Sequence, residues 1–177
     1  MLDQKTLKEL LHYDPETGLF TWLPRRLEHF KSTGTHSSWN KQFSNRIAGS
    51  KTTGGYILIV VKEQQYYAHR LAFLYMDGSM PPNEVDHIDG GRSNNKWGNL
   101  RLATRSDNSK NLKLFNTSTT GHPGVYWHKD SKKWYAKIKL NGKQSHLGMF
   151  NKLDDAVRAR KEAEIDLGFH PNHGRVN

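Results

Sequence analysis

The segment Asp86-His87-Ile88-Asp89-Gly90 sets a histidine beside a carboxylate. Asn94-Asn95 follow, then Asn99-Leu100-Arg101 and Asn108. Imidazole titrates near neutrality, so His87 is suited to take a proton from water. Asn99, twelve positions on, is placed to hydrogen-bond the backbone or the ring of His87 and so fix which ring nitrogen faces that water. Asp86 and Asn108 offer only oxygen donors, a set that favours Mg²⁺ or Mn²⁺ over zinc or copper. A base, a group to orient it and a hard cation on a scissile oxygen are the parts for hydrolysing a phosphodiester. Neighbours on a strand point to opposite faces, so the strand must end or kink if Asp86 and His87 are to act together. Taken singly, each residue also has a plainer reading, the Asp-His pair as a cap with a surface histidine and the asparagines as turn formers.

Elements to hold these residues are legible on both sides. Leu2, Leu7, Leu10 and Leu11 recur at helical spacing behind Asp3, a candidate N-cap. Asp14-Pro15-Glu16-Thr17-Gly18 reads as a turn before a strand at 19–22. Residues 25–50 are polar and read as a long loop. Gly54-Gly55 opens a hairpin of 56–62 and 65–68, with its turn near Glu63-Gln64. A short helix over 69–76 ends at Gly78. Strands are predicted at 85–88 and 100–103 around a turn-rich loop, with Thr104 or Ser106 capping a helix to about Asn111.

Residues 112–123 read as a linker, and a second unit follows. Strands are predicted at 124–128, 133–140 and 144–150, with Asn141-Gly142 as a hairpin turn. Asn151 is read as the cap of a helix closed by Gly168, and 169–177 as a tail in which His170 and His173 mark a frayed end. In 133–140 the period is two: Trp134, Ala136, Ile138 and Leu140 face the helix, while Tyr135, Lys137 and Lys139 face out. In regular register Tyr126, His128, Gln144 and His146 join that outer face. Sheets bearing such donors suit the DNA major groove.

Composition agrees with a nucleic-acid partner. The 177 residues carry 27 Lys and Arg against 17 Asp and Glu, net +10. Residues 1–112 hold fifteen basic and eleven acidic side chains, net +4, and residues 113–177 twelve and six, net +6. There is no cysteine, which excludes disulfides and thiolate zinc sites. The longest apolar run, Tyr56 to Val61, is strand-sized, and no signal peptide opens the chain, so a cytoplasmic setting is expected.

Residues 1 to about 111 resemble the phage and intron-encoded HNH endonucleases, in the variant whose last motif letter is Asn. The likeness rests on Asp86-His87-x-Asp89-Gly90, Asn94-Asn95, Asn99-Leu100-Arg101 and Asn108-x-x-Asn111. Upstream it includes Tyr13 to Trp22, Gly55-Tyr56 and Ala68-His69-Arg70-Leu71-Ala72. It implies an α+β chain whose N-terminal nuclease domain, 1–111, has a ββα-metal core at about 84–111. His87 is then the general base and Asn99 the orienting residue, with Asp86 and Asn108 ligating one Mg²⁺ or Mn²⁺ per active site. His69 and Arg70 are within reach of DNA or buried beneath the hairpin. Gly-Val-Tyr-Trp, Lys-Trp-Tyr-Ala-Lys-Ile, Leu-Gly-Met-Phe and Asp-Asp-Ala-Val-Arg-Ala-Arg resemble the plant Apetala or ethylene-response-factor DNA-binding domain. That implies, over 124–168, a three-stranded antiparallel sheet on one helix whose outer face enters the major groove. Gln144 and His146 stand where the plant domains commonly carry Arg and Trp.

The expectation is a divalent-metal-dependent, site-biased endonuclease for double-stranded DNA, homing-type and borne by a phage or mobile element, acting in the host cytoplasm. The competing expectation is a DNA-binding regulator with an inactive nuclease unit. Monomer and dimer both stay open, and with them nicking and double-strand cutting.

Overall fold

The computed structural model describes residues 2–112, 114 and 118–175. Lys113 and residues 115–117 of the expected linker, and Val176 and Asn177 of the expected tail, lie outside the described residues. The described residues form a mixed α and β fold with four small sheets. Packing groups the chain into two units, residues 1–102 and 103–177.

In the first unit Asp3 caps helix α1 (Gln4–Leu10), accepting from the Thr6 N–H at 2.7 Å. Strand β1 (Leu11–Asp14) follows directly and pairs with β2 (Leu19–Trp22) through Tyr13↔Phe20. The expected long loop at 25–50 is corrected. It holds an eleven-residue helix, α2 (Thr33–Phe43), whose first turn Ser32 caps at the Thr35 N–H. This helix buries no residue and so has no apolar stripe to read. Aromatic packing holds it instead. The Arg25 guanidinium lies 4.0 Å from the Trp39 ring centre and 5.1 Å from that of Trp22.

Strands β3 (Ser50–Lys51), β4 (Ile57–Val61) and β5 (Gln64–Tyr67) form a sheet in that order. The β4–β5 turn is Lys62-Glu63, both left-handed (φ 48° and 65°), one position earlier than the sequence reading. Helix α3 (Ala68–Asp77) buries Ala68, His69, Leu71, Ala72, Phe73 and Leu74 and stops at left-handed Gly78. Its apolar face joins Leu7, Leu11, Tyr13, Phe20, Ile59 and Val61 in one core. Each fully buried aliphatic or aromatic side chain there contributes about 1.5–3 kcal/mol. Strands β6 (Glu84–His87) and β7 (Leu100–Ala103) pair as a two-stranded sheet.

The second unit begins with the short helix α4 (Arg105–Ser109), closed at its start by a reciprocal Thr104–Asp107 capping box. Strands β8 (Val125–His128), β9 (Lys133–Leu140) and β10 (Lys143–Phe150) form a sheet ordered β10-β9-β8. Asn141 and Gly142 are both left-handed, the hairpin geometry expected of them. Helix α5 (Leu153–Asp166) places Ala156 against Val125 and Ala136, ringed by Trp134, Leu147, Phe150, Leu153 and Val157. Its N-cap position is Lys152 rather than Asn151, and no side chain bonds there. The residues after it are not frayed. The Gly174 N–H donates to the Leu112 carbonyl at 2.8 Å and the His170 N–H to that of Lys110 at 3.1 Å. Among the described residues no helix is long and apolar enough to cross a membrane.

Candidate active site

His87 is the last residue of β6 and only 4% exposed. The Gly90 N–H donates to its carbonyl at 2.7 Å, turning the chain sharply after the ring. Its Nε2 lies 3.1 Å from Asn95 Oδ1. An amide oxygen only accepts, so Nε2 is the donor in this contact. Asn95 is itself buried, and its carbonyl accepts the Tyr13 hydroxyl at 2.6 Å. Packing and the contact with Asn95 thus fix the orientation of the imidazole.

The spacing predicts Asn99 on the backbone or the ring of His87, and its bonds lie elsewhere. Its Nδ2 donates to Asp89 Oδ1 (2.9 Å) and to the Asn94 carbonyl (2.8 Å), and its Oδ1 accepts from the Asp89 N–H (3.0 Å). Its backbone carbonyl accepts from the Ile88 N–H, so Asn99 braces the loop and reaches the histidine through the chain alone. Asp89 completes the brace, accepting from the Gly91 N–H and Asn94 Nδ2, each at 2.7 Å. Burial pushes the Asp89 carboxyl up, but the donors from Asn94, Gly91 and Asn99 and the nearby His87 together draw it below the ordinary value.

The loop rests on the β1–β2 turn. The Trp97 N–H donates to the Pro15 carbonyl at 2.9 Å. Gly18 has φ +74°, and a Cβ there would stand 2.4 Å from the Asn95 carbonyl carbon and the Lys96 nitrogen. The Tyr13 to Gly18 motif therefore supports Asn95, about 80 residues downstream in the chain.

Asp86, one residue before the base, accepts both Nε (3.1 Å) and Nη2 (2.8 Å) of Arg101 on its Oδ2. Among the described residues no three His, Asp or Glu side chains converge as a metal cage. One carboxylate with amide oxygens is the sparse, hard set that Mg²⁺ accepts while keeping waters and substrate phosphate. In donor chemistry these residues fit such an ion.

A second histidine lies beside the first, a contact that sequence spacing does not signal. His69, at the start of α3 and 7% exposed, packs edge-on to His87 with ring centres 5.1 Å apart. Burial first, then His87 and Arg70, lowers its pKa from 6.5 to about 3, so it stays neutral beside the base. Tyr67 stacks on its other side and Tyr56 closes the cluster. Arg70 is committed to the loop before β6, donating to the carbonyls of Asn83 (3.1 Å) and Pro81 (2.6 Å). These contacts hold the half-buried guanidinium against that loop.

In the second unit the register gathers the outward residues. Tyr126 pairs Tyr135, His128 pairs Lys133, Lys137 pairs His146 and Lys139 pairs Gln144. The one irregularity in β10 falls after His146 and leaves that face intact. Tyr126 and His146 flank Tyr135 in a stack, with ring centres 5.7 and 4.9 Å away, and Lys137 Nζ sits 5.1 Å from the Tyr126 ring. Asn108 lies within α4, in the second unit.

Comparison with known proteins bears on the first of these constellations. A stretch of 60 residues, 34% of the chain, is 40% identical to Protein 3.8 of Escherichia phage T7. That stretch corresponds to 50% of the phage protein, so the chain spans about half the length of this curated relative. No solved structure matches. The HNH endonuclease family matches from Tyr66, at the end of β5, to Lys110, just after α4, taking in His69, Asp86, His87, Asn95, Asn99 and Asn108. Residues 66–110 of this chain are thus an HNH endonuclease family domain.

Proposed function

We propose that the protein is a divalent-metal-dependent endonuclease that hydrolyses phosphodiester bonds in double-stranded DNA, with His87 as general base. The observation that carries this reading is the buried His87 ring, fixed by Asn95 inside the family match and one residue from the Asp86 carboxylate. The His87 imidazole takes the proton of the attacking water while Asn95 orients the ring. Asn95 fixes the ring, and Asn99 with Asp89 fixes the loop that carries Asn95. Asp86 and, on motif spacing alone, Asn108 would hold Mg²⁺ or Mn²⁺. That ion supplies charge neutralisation at the scissile phosphate and the leaving 3′ oxygen.

The outer sheet face of the second unit is the proposed DNA reader, through Tyr126, His128, Tyr135, Lys137, Lys139, Gln144 and His146. This follows from its resemblance to Apetala-type domains and from the net +6 of residues 113–177. Linking a reader to a cutter raises the cutter's local concentration at the chosen site. We read the β6, loop, β7, α4 order as a ββα-metal core, and the enzyme as homing-type and acting in a host cytoplasm.

Supercoiled plasmid incubated with the protein in Mg²⁺ or in EDTA tests the reading. Conversion to nicked or linear DNA in Mg²⁺ alone is expected. Intact plasmid in both, accompanied by a salt-sensitive gel shift, would replace it with the DNA-binding regulator.

A further inference from the structure

Helix α4 is five residues long, too short to persist without outside support. Its own cap supplies one end in part. The rest comes from far along the chain. At the N-terminal side the Ser106 hydroxyl donates to Asn141 Oδ1 at 2.6 Å, so the β9–β10 turn grips the first turn of the helix. At the C-terminal side Arg175 Nη1 donates to the Asn111 carbonyl (2.8 Å), to Asn111 Oδ1 (3.0 Å) and to the Asn172 carbonyl (3.0 Å). Asn111 is 4% exposed, and it closes the Asn108-x-x-Asn111 end of the motif. Backbone bonds from His170 to Lys110, Gly174 to Leu112 and Leu114 to Arg175 run beside this contact. The last described residues thus lace the exit of α4 into the second unit.

That lacing is anchored in turn. Arg160, 6% exposed on α5, donates to the Lys137 carbonyl of β9 at 2.7 Å and to Glu164 at 2.8 Å. Its Nη2 lies 3.3 Å from His173 Nε2, and Phe169 packs edge-on to the His173 ring. The 169–175 segment is therefore tied to the sheet and helix that form the proposed reader.

We propose that Arg175 is a positioning residue of the nuclease, holding the helix that carries Asn108 through Asn111, with Asn141 as its counterpart at the other end. The inference rests on the nuclease reading above. It makes the final segment something other than a dispensable tail.

The test uses the full chain with Arg175→Ala and, separately, Asn141→Gly, which keeps the left-handed turn while removing the amide. Amide hydrogen exchange is followed over 104–112 in the metal-free protein. Cleavage is measured in a single turnover at saturating plasmid with Mg²⁺, and DNA affinity by gel shift. Arg175→Ala is expected to speed exchange over 104–112 by about tenfold or more, with strands β8 to β10 unchanged. The cleavage rate at saturation falls by a similar factor, while affinity stays within about twofold. Millimolar guanidinium, which refills the vacated site, restores part of the rate. Asn141→Gly moves both readouts in the same direction and carries the comparison if Arg175→Ala fails to fold. Unchanged exchange over 104–112, or unchanged cleavage with faster exchange, overturns the proposal. An unaltered chain that binds DNA but never cuts it overturns the nuclease reading and the catalytic half of this one, while exchange still decides the anchoring.

Discussion

At the scale of single residues, the site turns on which side chain holds the imidazole. Spacing marks Asn99, but the loop between β6 and β7 folds back through the Asp89–Asn99 pair and delivers Asn95 to the ring. Asn95→Ala should lower the cleavage rate at saturating DNA by about 10-fold to 100-fold, the scale on which partners orienting a functional imidazole act. Asn99→Ala should act through the loop, lowering thermal stability along with rate. Unfolding temperature read beside single-turnover rate separates the two. His69 gives a pH prediction. Its folded pKa, about 3, is depressed below an unfolded value near 6.5. Above pH 6.5 both states are neutral there and nothing is lost. As pH falls below 6.5 the unfolded chain gains a proton that the folded chain refuses, so stability drops by up to about 1.4 kcal/mol per pH unit. Urea unfolding of wild type and His69→Gln at pH 7.5 and 5.0 should show the wild type losing about 2 kcal/mol more. Equal losses would remove the claim that His69 is held neutral. The motif letters were legible in the sequence. The pairing of Asn95 with His87 was not, because it depends on how a twelve-residue excursion closes in space.

At the scale of elements, the turn between β1 and β2 bears directly on the loop. Gly18 meets two demands at once, a left-handed φ and a backbone approach with no room for Cβ. Gly18→Ala should cost about 1–3 kcal/mol from the conformation alone, with displacement of Asn95 and Lys96 added. Its unfolding temperature should fall, and its cleavage should fall further than the folded fraction accounts for. The hairpins, α1, α3, β9 and the Asn141-Gly142 turn all declare themselves by period or turn chemistry. Helix α2 does not. It is polar on every side, and Trp22, Arg25 and Trp39 fix it through contacts a local pattern does not encode. Asn151 shows the reverse case, a good capping residue one position too early to cap.

At the scale of the whole molecule, each unit has its own test of DNA contact. Lys137 and Lys139 share the outer face of β9 with the Tyr126, Tyr135 and His146 stack. Replacing either lysine by Ala should weaken binding at all sequences and lower the slope of log affinity against log salt by about one. Tyr135→Ala should weaken binding with the slope unchanged, since it removes surface and no charge. The alternating pattern and the hairpin turn made this face legible in advance. The role of residues 169–175 was not, because bonds to Lys110, Asn111 and Leu112 join segments some 60 residues apart. The central claim is that His87 is the base of a metal-dependent DNA hydrolase. It is tested most directly by the single-turnover cleavage rate of His87→Ala against wild type, both saturated with the same plasmid in Mg²⁺. The account predicts a loss of about 10²-fold to 10⁴-fold with DNA affinity retained; equal rates in the two proteins would contradict it.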